Sequence, residues 1–178
     1  MKTLYFIGGP MGVGKTTVGQ LLKRRLDRAV FLDGDWCWDA DPFQVTDETK
    51  QMVTDNICHL LNGFIRCSAY RNIVFCWVMH DQAIVNGILA RLELSDCAVR
   101  AVSLVCAPEA LRERLEGDIR RGVREADVVE RSLARLPLYD GLNTVKIDTT
   151  GLSPEEIAGR ITGWPGHSNI LLGSFFSP

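Results

Sequence analysis

The sequence has no surplus of basic charge: 20 lysines and arginines stand against 22 aspartates and glutamates, a net charge of −2 over 178 residues. Nucleic acid is therefore not expected as the main partner, since such partners are met by a basic face. No apolar run approaches the roughly 18 residues that cross a bilayer. Residues 1–7 (MKTLYFI) lack the long apolar region and small-residue cleavage site of a secretory signal. The expectations are no membrane partner and a cytoplasmic location. Six cysteines (Cys37, Cys58, Cys67, Cys76, Cys97, Cys106) form no CxxC pair, and the 3 histidines add no metal-binding spacing. That leaves a zinc site or a disulfide framework without support. Their mostly apolar neighbours predict reduced thiols that pack as small hydrophobes. Internal repeats and low-complexity stretches are absent too.

What is present reads as one globular domain. Hydrophobic residues make up 46% and charged residues 24%, ordinary usage for a folded chain of a length that buries a real core. Short β-rich runs alternate with helical spacing. Strands are predicted at residues 3–8, 29–32, 72–78, 99–106 and 144–147. Between them Val18, Leu21, Leu22 and Leu26 recur at helical spacing, as do Val53, Ile57, Leu60, Leu61, Phe64 and Ile65, and Ile84, Ile88, Leu89 and Leu92. Further helices are predicted from Pro108 to Glu116, over 127–139, and from Ser153-Pro154, a capping serine with proline at the first helical position. Repeated β-then-α order predicts an α/β fold, a five-stranded parallel sheet sandwiched by crossover helices. The expected domain is 1–162. The charged stretch 117–126 is expected as a short mobile lid, and 163–178 as a docked or frayed tail carrying an apolar island.

The first strand runs into Gly9-Pro10-Met11-Gly12-Val13-Gly14-Lys15-Thr16-Thr17, which fits G-x-x-x-x-G-K-[ST] with a strand before it and an amphipathic helix after. Glycines let backbone N–H groups wrap closely round phosphate. The helix starting near Lys15 adds the positive end of its dipole. Lys15 supplies a point charge for the β- and γ-phosphates, and the Thr16 hydroxyl is a ligand for Mg²⁺. A plain turn has no need of Lys-Thr at that step. The P-loop NTPase fold, with ATP and Mg²⁺ as cofactors, is the expectation. The second strand ends in Leu32-Asp33-Gly34-Asp35-Trp36. Two carboxylates at the carboxyl end of a parallel strand lie where open α/β sheets bind ligands. One, Asp33, suits the metal; the other, Asp35, suits the proton of an attacking alcohol.

The P-loop followed by Leu-Asp-Gly-Asp resembles the small P-loop kinases: gluconate, shikimate and adenylylsulfate kinases and the nucleoside monophosphate kinases. It is also similar to the chloramphenicol phosphotransferases and tunicamycin-resistance proteins. The resemblance spans about residues 3–162, in letters over the first 35 and in element order beyond. It implies that Arg114, at the end of a Leu-Arg-Glu-Arg-Leu helix, stacks on adenine. It places Arg120, Arg121 and Arg124 in a lid that offsets phosphoryl charge. It makes Arg135, before Leu136, a phosphate contact, and sets Thr150 and Gly151 on the loop along the base. The chain also departs from the pattern. Residues 77–81 (WVMHD) follow the third strand with no acid inside it, which leaves Asp33 as the metal carboxylate. Asp118 stands where adenylate-type kinases often place a second Arg.

The acceptor is expected between the exits of strands two and three and the long helix, with Asp35, Trp36, Met79 and His80 as its contacts. Trp77, in mid-run, reads as core. Aromatic walls suit a flat or apolar acceptor, and Asp39, Asp41 and Asp47 favour a neutral or cationic alcohol over a nucleotide. The reading is an ATP-dependent phosphotransferase acting on a small-molecule hydroxyl, monomeric or homodimeric, with Lys15, Asp35 and Arg135 as its catalytic residues. The alternatives are a nucleoside or nucleotide kinase, or a non-catalytic ATP-binding resistance protein. No guanine-reading stretch marks a GTPase, and length with the missing acid disfavours an ABC or AAA+ motor.

Overall fold

A computed structural model describes residues 1–125 and 127–163. The apolar island expected in the tail lies outside them. Five strands, β1 (Lys2–Gly8), β2 (Ala29–Asp33), β3 (Asn72–Cys76), β4 (Cys97–Val105) and β5 (Val145–Asp148), form one sheet in the order β2-β3-β1-β4-β5. Every neighbouring pair is parallel. Six helices connect them: α1 (Lys15–Arg25), α2 (Asp47–Arg66), α3 (Gln82–Leu89), α4 (Pro108–Arg120), α5 (Val128–Arg135) and α6 (Pro154–Thr162). β1 lies at the centre because both its faces are apolar: Leu4, Phe6 and Ile7 are almost fully buried. On one face α1, α4, α5 and α6 cover Tyr5, Ile7, Val74, Val102 and Leu104. On the other, α2 and α3 cover Leu4, Phe6, Ile73 and Phe75. Each such side chain contributes about 1.5–3 kcal/mol by leaving water.

Several boundaries differ from the sequence expectation, each for a local reason. β3 stops at Cys76, two residues early, because its ladders with β1 and β2 end at the pairs Ile7–Cys76 and Asp33–Cys76. α4 continues to Arg120, so the first residues of the expected lid are helical. Leu111, Leu115 and Ile119 keep an i,i+4 apolar stripe running through that charged stretch. The expected helix over 127–139 is α5 followed by a 3-10 turn, Leu136–Tyr139. Pro137 has no N–H to continue the α ladder. Helix starts follow the capping chemistry: the Thr46 and Ser153 hydroxyls accept from the third residue of α2 and α6, and the Asp81 carboxylate accepts from Ala83 N at 2.8 Å ahead of α3. Four of the six cysteines are buried, Cys37 is half-buried and Cys67 is exposed; all are free thiols. Among the described residues no helix is long and apolar enough to cross a membrane.

Candidate active site

β1 delivers the chain into the phosphate loop at the carboxyl edge of the sheet. Gly12 (φ 80°) and Gly14 (φ 101°) hold left-handed backbone, open to glycine at little cost. A Cβ on Gly12 would lie 2.5 Å from Leu115 Cδ2, so the loop packs flush on α4, whereas one on Gly14 would meet nothing within 4 Å. The loop is thus closed behind and open in front. Gly14 caps α1 without a side-chain acceptor, which leaves the first N–H groups of α1 as unfilled donors at the positive end of its dipole. Lys15 is 9% exposed, and its Nζ donates to Pro10 O at 2.9 Å across the loop. Desolvation lowers its pKa, with Asp35 and Asp33 pulling the other way.

Asp33 ends β2 and is buried. Its Oδ2 accepts from Thr16 Oγ1 at 2.6 Å, and its Oδ1 accepts from Asp35 N at 3.1 Å. One carboxylate therefore fixes both the P-loop hydroxyl and the turn that carries Asp35. That turn is a 3-10 turn, Gly34–Cys37, and it sets Asp35 on the wall of a cavity of about 530 Å³. Asp35 is exposed to the cavity it lines. Desolvation raises its pKa, the neighbouring Asp33 raises it further, and Lys15 and the Trp77 indole oppose the rise.

α4 and the residues after it close the opposite wall of the same cavity with Arg114, Arg120, Arg121 and Arg124. Asp118 pairs there with Arg121 NH2 at 2.6 Å and Arg124 Nε at 3.0 Å. Arg114 is anchored: it donates to Thr149 O at 2.8 Å, Thr149 Oγ1 at 3.0 Å and Val13 O at 3.5 Å. That joins α4, the P-loop and the exit of β5. On that exit Thr150 Oγ1 accepts from Ala107 N at 2.8 Å, and Gly151 turns at φ 70°.

The cavity brings together Met11, Gly12, Gly14, Lys15, Thr16, Thr17, Asp35, Arg114 and the three lid arginines. Pro10 and Val13 serve through their carbonyls, and Gly9 packs on Leu104. The expected contacts Trp36, Met79, His80, Arg135, Thr150 and Gly151 do not line it. Met79 is 1% exposed, a core side chain under α2 and α3 with almost no surface for a ligand. Trp36 projects outward, edge-on to Phe31 at 5.3 Å. Arg135 is not on the cavity wall. It stands near His80 and Tyr139: burial lowers the His80 pKa and Arg135 lowers it further, while burial raises that of Tyr139. His80 Nδ1 is enclosed with no hydrogen-bond partner among the described residues. Trp77, expected as core, is half-buried and packs against the core cluster, and it also lies beside Asp35. Its place past the end of the strand was the available signal. The ties of Asp118 were visible as i+3 and i+6 spacing to two arginines.

A family model described as an AAA domain matches residues 6–133. Shikimate kinase of Bacillus cytotoxicus is 28% identical over 171 residues, covering 90% of this chain and 96% of that protein. Among solved structures, the tunicamycin resistance protein of Deinococcus radiodurans superposes with a TM-score of 0.71 at 22% identity, over 92% of this chain and 95% of that one. A gluconokinase from Sinorhizobium meliloti superposes at 0.66 and 18% identity, over 90% of each chain. The structural likenesses carry the fold. The shikimate kinase and the gluconokinase match this chain over nearly their whole length, the size of a single kinase domain rather than of a motor. The protein belongs to the AAA domain family and is a P-loop kinase, an ATP-dependent phosphotransferase of small molecules.

Proposed function

We propose that the protein moves the γ-phosphoryl group of MgATP to an alcohol, with Asp35 accepting the hydroxyl proton. The observation that carries this is that Asp35 lines one cavity together with Lys15, Thr16 and the lid arginines. The acceptor oxygen forms a bond to the γ-phosphorus. The bond from that phosphorus to the bridging oxygen breaks, its electron pair leaves with ADP, and the proton passes to the Asp35 carboxylate. A carboxyl raised by desolvation is a stronger base than an exposed one and holds the proton it receives. Little covalent work falls to the protein in such a transfer, so positioning and charge carry the rate.

Lys15, the free N–H groups of α1 and Arg120, Arg121 and Arg124 stabilise charge on the phosphates. Arg114, Thr150 and Gly151 border the base. The donors at the loop–helix junction fit Mg²⁺: a hydroxyl and a carboxylate, both hard oxygens, leave the remaining positions to water and phosphate. Thr16 and Asp33 would hold the ion, which supplies neutralising charge to the phosphates.

The test is ADP release from MgATP against pooled nucleosides, nucleotides, sugars, hydroxy acids and apolar alcohols, with Lys15→Ala as the blank. One pool raises turnover above basal hydrolysis and Lys15→Ala abolishes it. Turnover that survives in Lys15→Ala removes the assigned role. Productive use of a nucleoside monophosphate moves the reading to a nucleotide kinase.

A further inference from the structure

A second cavity, about 540 Å³, opens between α2 and α3 and is walled by Trp38, Val53, Trp77, Ile84 and Ile88. Its size is that of a small-molecule site. The polar side chains at its edge, Lys50, Gln51, Thr54 and Arg91, each hold one neighbour, with donors to spare on Lys50 and Arg91. Gln51 donates to Asp55 at 2.8 Å, Arg91 pairs with the same carboxylate, Lys50 pairs with Asp47 at 3.1 Å, and the Thr54 hydroxyl donates to Lys50 O at 2.8 Å. A carboxylate or polyol laid against Trp38, Val53, Trp77, Ile84 and Ile88 would lose water and gain no partner from those walls, at a cost of about 1–3 kcal/mol per unsatisfied group. An apolar body loses nothing there.

The groove is joined to the phosphoryl-transfer site through one ring. Trp77 lies flush on the turn carrying Asp35, since a Cβ on Gly34 would sit 2.5 Å from Trp77 Cγ. Its indole faces the Asp35 carboxylate, and the same side chain lines the groove. Exposed apolar surface gathers on the adjoining segment: Trp36, Phe43, Val45 and Met52 are 57%, 59%, 60% and 42% exposed, and Phe43 packs on Trp38 at 4.8 Å. Large apolar side chains left in water together mark a surface that receives something. The two cations on the groove each face an acid, Lys50 with Asp47 and Arg91 with Asp55, and Asp39 and Asp41 add negative charge on the same segment, which leaves little net attraction for an anion.

We propose that the acceptor is a neutral alcohol with a flat apolar body, which lies in the α2–α3 groove against Trp38 and Trp77 while its hydroxyl reaches Asp35. This rests on Asp35 as the proton acceptor. The hydroxyl gives its proton to Asp35, its oxygen takes the γ-phosphoryl group, and ADP leaves.

Gly87 supplies the test. It lies on the groove wall, and a Cβ there meets nothing within 4 Å, so a larger side chain fills the groove while improving the helix. ADP release from MgATP is measured with 2-(2-naphthyl)ethanol and 4-phenylbutanol against shikimate and gluconate, in the unaltered protein, Gly87→Leu and Gly87→Phe. The aryl alcohols raise release and the hydroxy acids do not. Gly87→Phe raises the KM for the aryl alcohol at least tenfold and Gly87→Leu by less, with the KM for ATP within twofold. Turnover of shikimate or gluconate that is indifferent to Gly87→Phe overturns the proposal and leaves Asp35 its role. So does a flat response to both aryl alcohols while Lys15-dependent hydrolysis persists. Acceptor turnover that survives Asp35→Asn overturns instead the reading of Asp35.

Discussion

Asp35→Asn separates the proton-accepting role from every structural one. The amide has the shape of the carboxylate, and the turn is held by Asp33 Oδ1 on the Asp35 N–H rather than by the side chain. A positioned general base contributes about 10²–10⁴ in rate, or about 3–5 kcal/mol at 1.36 kcal/mol per tenfold. The variant should lose that much in kcat with ATP affinity nearly intact. The pH profile gives a second reading. Desolvation and Asp33 raise the Asp35 carboxyl above its ordinary value, so the unaltered enzyme loses activity as pH falls through a point above the ~3.9 of a free aspartate. In the variant that acid limb disappears. Stability should move the opposite way. A carboxyl whose folded value is raised binds its proton more tightly when folded, so its favourable contribution is complete below the unfolded value and is lost as pH rises through the folded one. At neutral pH the ionised Asp35 beside Asp33 is therefore a cost, reduced by its opening to solvent, and Asp35→Asn should raise Tm. A coupled ADP assay across pH and calorimetry without nucleotide measure both. A variant that keeps kcat within tenfold, or keeps the acid limb, refutes the assignment.

Gly19→Ala tests packing away from the chemistry. The new Cβ would lie 2.3 Å from Phe31 Cε2, and overpacking of this kind costs about 1–3 kcal/mol; Tm should fall by about 2–12 °C with the KM for ATP unchanged, and an unchanged Tm would show that Phe31 moves aside freely. Asp118→Asn removes the acid paired to Arg121 and Arg124 inside the phosphate cavity. Because the arginines then face phosphate without that competitor, MgATP binding by calorimetry should tighten up to about fivefold at low salt, the equivalent of a partly exposed pair of about 1 kcal/mol; weaker binding would make Asp118 an organiser of the lid rather than a competitor.

The order of elements was legible because each strand is a short β-branched or aromatic run and each helix repeats its apolar positions at 3.6. What failed at the edges were features that depend on neighbours. No local signal in Trp77-Val78 says that β3 has run out of partners. Gly117 to Arg120 look like loop until the stripe through Leu111, Leu115 and Ile119 is followed to its end. The phosphate side of the site was legible for the same reason as the helices, since its donors are contiguous in the chain from Gly9 to Thr17. The acceptor side was not. The walls of the proposed acceptor groove come from Trp38, the exit of β3, α2 and α3; Met79, expected as a contact, is core, and Trp77, expected as core, packs on the core and also lines the groove.

The missing acid of strand three is the departure whose consequence runs deepest. β2 and β3 are parallel and in register, with Asp33 opposite Cys76. An acid at the end of β2 therefore stands level with the last ladder position of β3, and it reaches the P-loop: Thr16 Oγ1 is 2.6 Å from Asp33 Oδ2. The position beside it is a buried thiol whose pKa is pushed up by desolvation and then by the Asp33 charge, so Cys76 stays neutral and adds no second anion. A carboxylate there would place two buried negative charges side by side, and burial without a matched cation is strongly unfavourable. With Cys76 neutral, the acids near Lys15 are Asp33 and Asp35, and their surroundings suit the roles proposed for them: Asp33, buried and bonded to Thr16, for the metal, and Asp35, raised and open to the cavity, for the proton. Moving the acid from β3 to β2 thus leaves the charge around Lys15 compensated and frees the exit of β3 for Trp77.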